Sequence, residues 1–302
     1  MGEIAEEDFY SRSSGLIENA ALKEKRILVI GLGSFGSQIA VELAKAAIGR
    51  FTLVDFDKLE AHNIVRHACL VKDIGRLKTD AVEEIILGKN PYAKVKKIPI
   101  DVNDNPDVIN SAVAESDIVI VATDNNQSRF LLSGFMAKHG KVGIYGRANT
   151  RAEGGDVFVQ RPGGACYGCL VGNRAFDVAA QEVSSREAGM RSGAIAAYTA
   201  PEDAAAVVQV GLSCDIAPIV NMMVKLALVE LSKGTGGGLA GLEGELVYDY
   251  WMWANRRERR FKNWSPLPDA KGRPTILRWY GARIAKDGQC PLCGDEDMQL
   301  EV

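Results

Sequence analysis

The stretch Arg26-Ile-Leu-Val-Ile-Gly31-Leu-Gly33-Ser-Phe-Gly36 decides the fold of this 302-residue chain. The residues before Gly31 form the short apolar run of a buried strand, and the amphipathic pattern over 35–47 predicts a helix directly after it. Gly31 allows a sharp turn, and Gly33 lets the backbone approach a phosphate at the helix N-terminus, where unpaired N–H groups favour an anion. The stretch therefore predicts the strand, loop and helix of a nucleotide-binding unit.

Beyond this unit, apolar runs typical of strands alternate with amphipathic runs typical of helices. The expected strands are 50–55, 95–100, 117–122 and 141–145, and the expected helices are 79–87, 106–114 and 127–138. Such alternation indicates an α/β fold with a doubly wound, mostly parallel, Rossmann-like sheet. After residue 154 the pattern predicts strands at 155–160, 245–252 and 256–262, which would extend the sheet in antiparallel fashion, and helices at 201–209 and 216–231.

Composition and charge narrow the class of protein. The chain is 47% hydrophobic, and its length allows one large domain or one and a half. Its formal net charge of −3 gives no indication of a nucleic-acid surface. The basic run Arg256-Arg-Glu-Arg-Arg260 is better explained as a solvated sheet edge than as a nucleic-acid patch. The acidic N-terminus lacks the pattern of a signal peptide, and charged residues such as Lys225 and Glu230 interrupt the most apolar segment, 216–231. We therefore expect a cytoplasmic protein that does not enter a membrane.

Two short cysteine motifs, Cys166-Tyr-Gly-Cys169 and Cys290-Pro-Leu-Cys293, contribute four of the six cysteines. Two such pairs supply the four thiolates that tetrahedral Zn²⁺ prefers. A reducing cytosol favours metal binding over disulfides, although a redox dithiol or a structural disulfide is the alternative. The pattern predicts a zinc site that connects the C-terminus to the middle of the chain.

Polar side chains follow the strand ends at the edge where doubly wound sheets bind their ligands. Asp55 ends the second strand and is placed to bind a ribose hydroxyl. Two cationic side chains, Arg66 and Lys78, suit a triphosphate, and an aspartate at a strand end, Asp124, suits Mg²⁺. Each could instead form a surface ion pair. The full set after the glycine loop is Asp55, Asp57, Asn63, Arg66, Lys78, Asp124 and Asn125.

Several of these motifs, taken in order, resemble one family. They are Tyr10-Ser-Arg12, Gly31-Leu-Gly-Ser-Phe-Gly36, Leu53-Val-Asp55-Phe-Asp57, Asn63-Ile-Val-Arg66, Gly75-Arg-Leu-Lys78, Thr123-Asp124-Asn125 and the two cysteine motifs. As an ordered set they resemble the ThiF/MoeB family, adenylating enzymes related to the ubiquitin-activating enzymes. The resemblance covers residues 9–170 and 216–234 and returns at the second cysteine motif. Residues 1–302 would then form a single ThiF-like adenylation domain, with a core at 20–233 and a C-terminal extension at 244–302.

The resemblance implies ATP-dependent adenylation of the C-terminal glycine of a ubiquitin-like or sulfur-carrier protein, with a conjugating or sulfur-transfer protein as a possible later partner. It implies that Asn63, Arg66 and Lys78 contact the phosphates, while Asp124 positions Mg²⁺. Arg12 matches an arginine that reaches the site of a neighbouring subunit, which implies a homodimer. The remaining nucleotide-site residues would be Gly31, Gly33, Gly36, Asp55, Asp57 and Asn125, and the zinc ligands Cys166, Cys169, Cys290 and Cys293.

Cys214 precedes the expected helix 216–231, where some relatives carry a cysteine that receives the activated acyl group. A helix N-terminus would lower the pKa of its thiol, but the neighbouring Asp215 would oppose the thiolate. A buried structural cysteine is the alternative. We expect Cys69 in the core.

The sequence also allows two other functions, and two roles for the segment between the cysteine motifs. An NAD-dependent oxidoreductase would use the glycine loop and Asp55 but would give Arg66, Lys78 and Asp124 no role, and a scaffold of the same fold would bind nucleotide without turnover. Residues 246–284 separate the cysteine motifs more widely than in short relatives; they either recognise a partner or decorate the sheet edge. The histidines His62, His67 and His139 are too scattered to form a catalytic triad.

Overall fold

The computed structural model describes residues 6–172, 211–256 and 275–294. Its strands are β1 Arg26–Ile30, β2 Arg50–Val54, β3 Lys94–Ile98, β4 Ile118–Val121, β5 Val142–Ala148, β6 Gly154–Gln160, β7 Tyr250–Ala254 and β8 Arg278–Ala282. They form one eight-stranded sheet in the order β3-β2-β1-β4-β5-β6-β7-β8. The first five strands of this order are parallel, and the pairs β5–β6, β6–β7 and β7–β8 are antiparallel. The predicted fold class is confirmed.

Helices cover both faces of the sheet. They are α1 Glu6–Phe9, α2 Asn19–Lys23, α3 Gly36–Lys45, α4 Lys78–Lys89, α5 Pro106–Glu115, α6 Asn126–His139, α7 Tyr167–Val171 and α8 Ser213–Ser232. One apolar core contains residues of α3, α4 and α8, and the other contains residues of α5 and α6. The chain order reverses between β1 and β4, so their carboxyl ends form the crevice where such sheets bind ligands.

Helix α8 packs close to the antiparallel part of the sheet. A Cβ on Gly146 would collide with the side chain of Met223, and one on Gly155 would collide with Ile219. Glycine at these two strand positions therefore lets the helix approach. Because Gly155 pairs with Ala148, the last residue of β5, and contacts Ile219, the N-terminal half of α8 lies toward the ligand-binding edge.

Several helix and strand boundaries in the structure differ from the predicted ones. Helix α8 begins at Ser213, three residues earlier than expected, so Cys214 lies inside its first turn. The strand expected at 245–252 is Tyr250–Ala254, because Gly238–Glu245 forms a 3-10 helix whose end lets Leu246 pack on the core. The observed neighbours of β7 are β6 and β8. Of the strand predicted at 256–262, residues 257–262 lie outside the described residues, as does the helix predicted at 201–209.

The N-terminal segment is fastened to the loop after α8. Gly238 and Leu239 donate backbone hydrogen bonds to the carbonyl oxygens of Gly15 and Leu16, each across 3.0 Å. Tyr10 and Ile17 are buried at either side of the short 3-10 helix Ser11–Ser13. Across the described residues, no helix has the length and apolar character needed to cross a membrane.

Candidate nucleotide site and cysteine cluster

The three glycines of the loop after β1 have different roles. Gly31 has a φ of +84°, and a Cβ there would lie 2.7 Å from the carbonyl oxygen of Ala122. A Cβ on Gly36 would collide with the Gly31 carbonyl. Around Gly33, in contrast, no described atom beyond the adjacent residues lies within 4 Å of the Cβ position. The fold therefore requires the first and third glycines, whereas Gly33 leaves open space beside the backbone.

Asp55 orders this loop from the end of β2. Its Oδ2 accepts a hydrogen bond from the Leu32 amide at 2.6 Å, and its Oδ1 accepts one from the Asp57 amide at 2.8 Å. Burial raises the pKa of Asp55, and the nearby Lys78 charge partly offsets this effect. Each carboxylate oxygen has a second acceptor position, so the carboxylate can still accept a hydrogen bond from a ribose hydroxyl.

Lys78, the first residue of α4, brings the acidic groups of the edge together. Its Nζ donates to Oδ2 of Asp57 at 2.9 Å, and its side chain is almost fully buried. Burial by itself would lower the pKa of Lys78, but the carboxylates of Asp55, Asp57 and Asp124 raise it. Lys78 is therefore a buried cation among three predicted site residues, which the structure places at one point of the sheet edge.

His67 also contacts the glycine loop, although no role there was predicted for it. Its Nε2 lies 2.6 Å from the carbonyl oxygen of Leu32, and its Nδ1 accepts a hydrogen bond from the Cys69 amide at 3.1 Å. The Cys69 bond places the ring proton on Nε2, which then donates to Leu32. Burial lowers the pKa of His67 to about 4, so the ring is neutral at physiological pH. The backbone of Leu32 is thus held on both sides: Asp55 binds its N–H group and His67 binds its carbonyl oxygen.

Asn63 and Arg66 lie in the segment between β2 and α4, which contacts the glycine loop through His67. Asn63 ends a 3-10 helix, Ala61–Asn63, and its Oδ1 accepts a hydrogen bond from the Glu60 amide at 3.0 Å. Arg66 is half-buried, burial lowers its pKa, and its carbonyl oxygen accepts a hydrogen bond from Gln38 of α3 at 2.8 Å. Arginine keeps its charge in such surroundings, so this segment presents a cation beside the loop.

Asp124 and Asn125 lie between β4 and α6. Asn125 is the N-cap of α6, and its Oδ1 accepts a hydrogen bond from the Ser128 amide at 2.9 Å. Arg129 donates to the Thr123 carbonyl at 2.5 Å, which fastens the other side of Asp124. Asn125 was predicted only as a cofactor contact, and the structure also gives it this capping role. The loop that carries Asp124 is therefore held at both ends.

Arg12 and Cys214 have exposed side chains. Arg12 lies on Ser11–Ser13 of the anchored N-terminal segment. Cys214 is in the first turn of α8, and the next residue, Asp215, forms an ion pair with Arg256 at 3.5 Å. Cys69 is buried, as expected, and burial raises the pKa of its thiol to about 12.

The two cysteine motifs meet in a cluster of free thiols. All four Sγ atoms lie within 4.8 Å of one another. The separations are 3.8 Å for Cys166–Cys169, 3.4 Å for Cys166–Cys290 and 3.4 Å for Cys169–Cys293. Sulfurs of a tetrahedral zinc site, with Zn–S bonds of about 2.3 Å, lie about 3.8 Å apart, whereas a disulfide needs about 2.05 Å. The cluster fits a metal ion and does not fit disulfides.

The surroundings of the cluster also suit a cation. Burial raises the pKa of Cys166 to about 11, so without a metal its thiol stays protonated. The backbone amide of Asp287 donates to Sγ of Cys169 across 3.4 Å, as outer groups often do to metal-bound thiolates. A bound cation would supply the charge that four thiolates need at this site.

Together, the fold and the edge residues define a doubly wound α/β protein of the kind that binds nucleotides at the carboxyl ends of its strands. The profile of the ThiF family matches residues 10–255, and the chain belongs to this family.

Curated relatives match about half of the chain. The molybdopterin-synthase adenylyltransferase of Escherichia coli is 33% identical over 155 residues, which cover 50% of this chain and 60% of the relative. The SAMP-activating enzyme E1 of Haloferax volcanii is 30% identical over 150 residues, covering 49% of this chain and 54% of the relative. The matched region thus spans less than two thirds of either relative. Among solved structures, Escherichia coli MccB has the same fold, with a TM-score of 0.66 at 17% identity over 99% of this chain and 75% of that one.

Proposed function

We propose that this protein is an ATP-dependent adenylating enzyme that activates the C-terminal glycine of a ubiquitin-like or sulfur-carrier protein. The observation that carries this proposal is the buried Lys78 among Asp55, Asp57 and Asp124, next to a glycine loop with open space at Gly33. The names of the relatives, an adenylyltransferase and an activating enzyme E1, support the same reaction. The proposal treats residues 1–302 as one adenylation domain with a core at 20–233 and an extension at 244–302.

In the proposed reaction, a carboxylate oxygen of the carrier protein attacks the α-phosphorus of ATP. The bond from this phosphorus to the oxygen that bridges it to the β-phosphate breaks, pyrophosphate leaves, and the acyl-adenylate remains. The reaction moves charge between oxygens without needing a protein base, so positioned cations account for most of the catalysis. This chemistry fits an edge that offers the buried cation of Lys78 and the half-buried Arg66.

Each edge residue has a role in this proposal. Asp55 would bind the ribose, and the loop from Gly31 to Gly36 would accept the phosphates. Lys78, Arg66 and Asn63 would contact the phosphate oxygens, with Lys78 exchanging Asp57 for phosphate. Mg²⁺, when bound, would neutralise part of the phosphate charge, and Asp124 would hold it, with Asn125 fixing that loop.

We further propose that the protein is a homodimer in which Arg12 completes the site of the partner subunit. Arg12 is exposed on an anchored segment, so its side chain is presented away from its own chain. The segment beside Arg66 also exposes apolar side chains that a second copy would cover, because Val65 is 76% exposed and Val71 is 70% exposed.

Mixing two inactive variants tests this arrangement. A dimer of Arg12→Ala and Lys78→Met subunits contains one complete site, so mixing and exchange should restore roughly a quarter of the wild-type activity. Heterodimers without any regained activity would show that Arg12 does not act in the neighbouring site.

The remaining parts of the proposal concern the cysteines. Zn²⁺ held by the four-cysteine cluster would have a structural role. Cys214 would receive the acyl group from the adenylate as a thioester, releasing AMP, before a conjugating or sulfur-transfer protein takes it. The ion pair between Asp215 and Arg256 supports this role, because it leaves less negative charge beside the thiol.

The test of the proposed function is ATP–pyrophosphate exchange with candidate carrier proteins that end in Gly-Gly. Exchange should depend on the carrier, and Asp124→Ala should abolish it. Exchange that survives this substitution, or no exchange with any such carrier, would contradict the mechanism. ATP but not NAD should raise the melting temperature, since only a ligand that binds the folded state stabilises it.

The cysteine step has its own test. Cys214→Ala should remove a thiol-sensitive adduct with the carrier while pyrophosphate exchange continues. An adduct that persists in this variant would assign the transfer to another group.

A further inference from the structure

Tyr167 lies between the first two cysteines of the cluster and is almost completely buried. Its ring stacks on Tyr145, with centroids 5.0 Å apart, and meets Phe130 edge-on at 5.3 Å. Its amide donates to Oγ of Ser133 in α6 at 3.1 Å. The side chain is therefore fixed by stacking on one side and by the cysteine motif on the other.

The hydroxyl group of Tyr167 reaches the loop that carries Asp124. It donates a hydrogen bond to Oδ1 of Asn126 at 2.9 Å. Asn126 is the first residue of α6 and comes directly after the N-cap Asn125. The cysteine motif is therefore linked through Tyr167 to Asn126, which lies two residues along the chain from Asp124.

We propose that Tyr167 is a positioning residue through which the cysteine cluster sets the position of Asp124. The inference rests on the proposed function, because it assigns Asp124 to Mg²⁺. Loss of metal from the cluster would release Cys166 and Cys169 on both sides of Tyr167, and with them the hydroxyl that holds Asn126. Coupling between two binding sites is reciprocal, so binding of Mg·ATP should also strengthen metal binding by the cysteines.

Tyr145 provides a matched control for a purely structural role of Tyr167. It belongs to the same buried stack, and its hydroxyl also donates one hydrogen bond, at 3.0 Å. That bond goes to Oε1 of Gln160 in β6, which also accepts hydrogen bonds from Ser133 in the middle of α6 and from the Tyr167 amide, and so lies away from Asn126 at the start of that helix. Tyr145→Phe and Tyr167→Phe thus remove the same atom from the same aromatic cluster, but only the second removes a link to Asn126.

The first experiment measures the Mg²⁺ concentration that gives half-maximal pyrophosphate exchange. Tyr167→Phe should raise it about fivefold, the effect of losing one hydrogen bond, while the zinc content stays at that of the wild type. Tyr145→Phe should leave it unchanged. Asn126→Ala, which removes the same bond from its other end, should match Tyr167→Phe, and combining the two should add nothing. An unchanged Mg²⁺ requirement in Tyr167→Phe, or an equal rise in Tyr145→Phe, would overturn the proposal.

The second experiment measures how tightly the protein binds zinc, by competition at equilibrium with a coloured chelator. Mg·ATP should raise the zinc affinity of the wild type and of Tyr145→Phe, but have a much smaller effect on Tyr167→Phe. An equal rise in all three proteins would also overturn the coupling. Wild-type protein that neither binds Mg·ATP nor exchanges pyrophosphate would instead refute the proposed function, and this inference with it.

Discussion

Lys78 donates from Nζ to Oδ2 of Asp57 across 2.9 Å, and its own amide donates to the carbonyl oxygen of Asp57 at 3.0 Å. The first residue of α4 is therefore tied to the end of β2 by both backbone and side chain. The proposed function requires only the side-chain bond to open when phosphate enters. The backbone bond would keep Lys78 in place during the exchange.

Replacement of Lys78 should strongly reduce the rate of pyrophosphate exchange. We expect Lys78→Met to lower kcat/KM for pyrophosphate exchange by roughly 10²–10³-fold, since it removes a cation from the developing phosphate charge. Lys89→Met, at the exposed end of the same helix, is the control and should keep wild-type kinetics. Equal kcat/KM values in the two variants would contradict the role given to Lys78.

Substitutions at two glycines of the loop should have different effects, one on nucleotide binding and the other on stability. Gly33→Ala places its methyl group in open space, so it should keep the wild-type melting temperature but weaken ATP binding at least tenfold by blocking the backbone. Gly36→Ala should lower the melting temperature, because its Cβ would collide with the Gly31 carbonyl. Calorimetry and titration with ATP measure both effects. Unchanged ATP affinity in Gly33→Ala would place the phosphates elsewhere.

His67 should make the stability of the protein depend on pH. Its pKa is lowered from 6.5 to about 4 in the folded state, so its stabilising effect is complete above pH 6.5 and is lost as the pH falls toward 4. Between pH 7 and pH 5 the free energy of unfolding should fall by about 2 kcal/mol from this group. His67→Gln, whose amide can still donate to Leu32, should lack this part of the pH dependence in urea unfolding. The same slope in both proteins would show that His67 can be protonated in the fold.

Zinc should bind the cysteine cluster with one ion per chain. Cys290→Ser should lose the metal and lower the melting temperature, because Cys290 is buried in the cluster. Cys214→Ser, at an exposed site, should retain it. Atomic absorption measures the zinc content, and thermal melts measure the stability. A wild-type protein that contains no metal and has two disulfides would contradict the prediction and favour the redox interpretation.

Much of the fold could be predicted because its first half follows local rules. The alternation of strand and helix patterns sets a parallel sheet, and the glycine loop with Asp55 locates its ligand edge. Within each of the pairs Cys166–Cys169 and Cys290–Cys293, the spacing is typical of metal ligands. This signal does not depend on how many residues separate the two pairs. The antiparallel part of the sheet is harder to predict from the sequence. Strand β8 is recognised only by its pairing with β7, and no local pattern specifies this pairing.

The site residues that the sequence did not reveal act through hydrogen bonds between residues far apart in the chain. His67 binds a carbonyl oxygen of the loop, and Tyr167 binds the side chain of Asn126; neither contact has a spacing rule. For His67 a signal existed, since it directly follows Arg66 in a motif assigned to the nucleotide site. For Tyr167 the only signal was its place between two expected metal ligands.

The cysteine cluster joins residues that are 124 positions apart, as Cys166 and Cys290 show. The entropy lost on closing such a loop grows only with the logarithm of its length, so tens of residues can be added between the motifs at a cost of less than about 1 kcal/mol. Both ends of the intervening chain stay fixed whatever its length. The cluster therefore lets evolution lengthen the connections between α8, β7 and β8, and new partners can be acquired there without disturbing the sheet edge at Asp55 and Lys78.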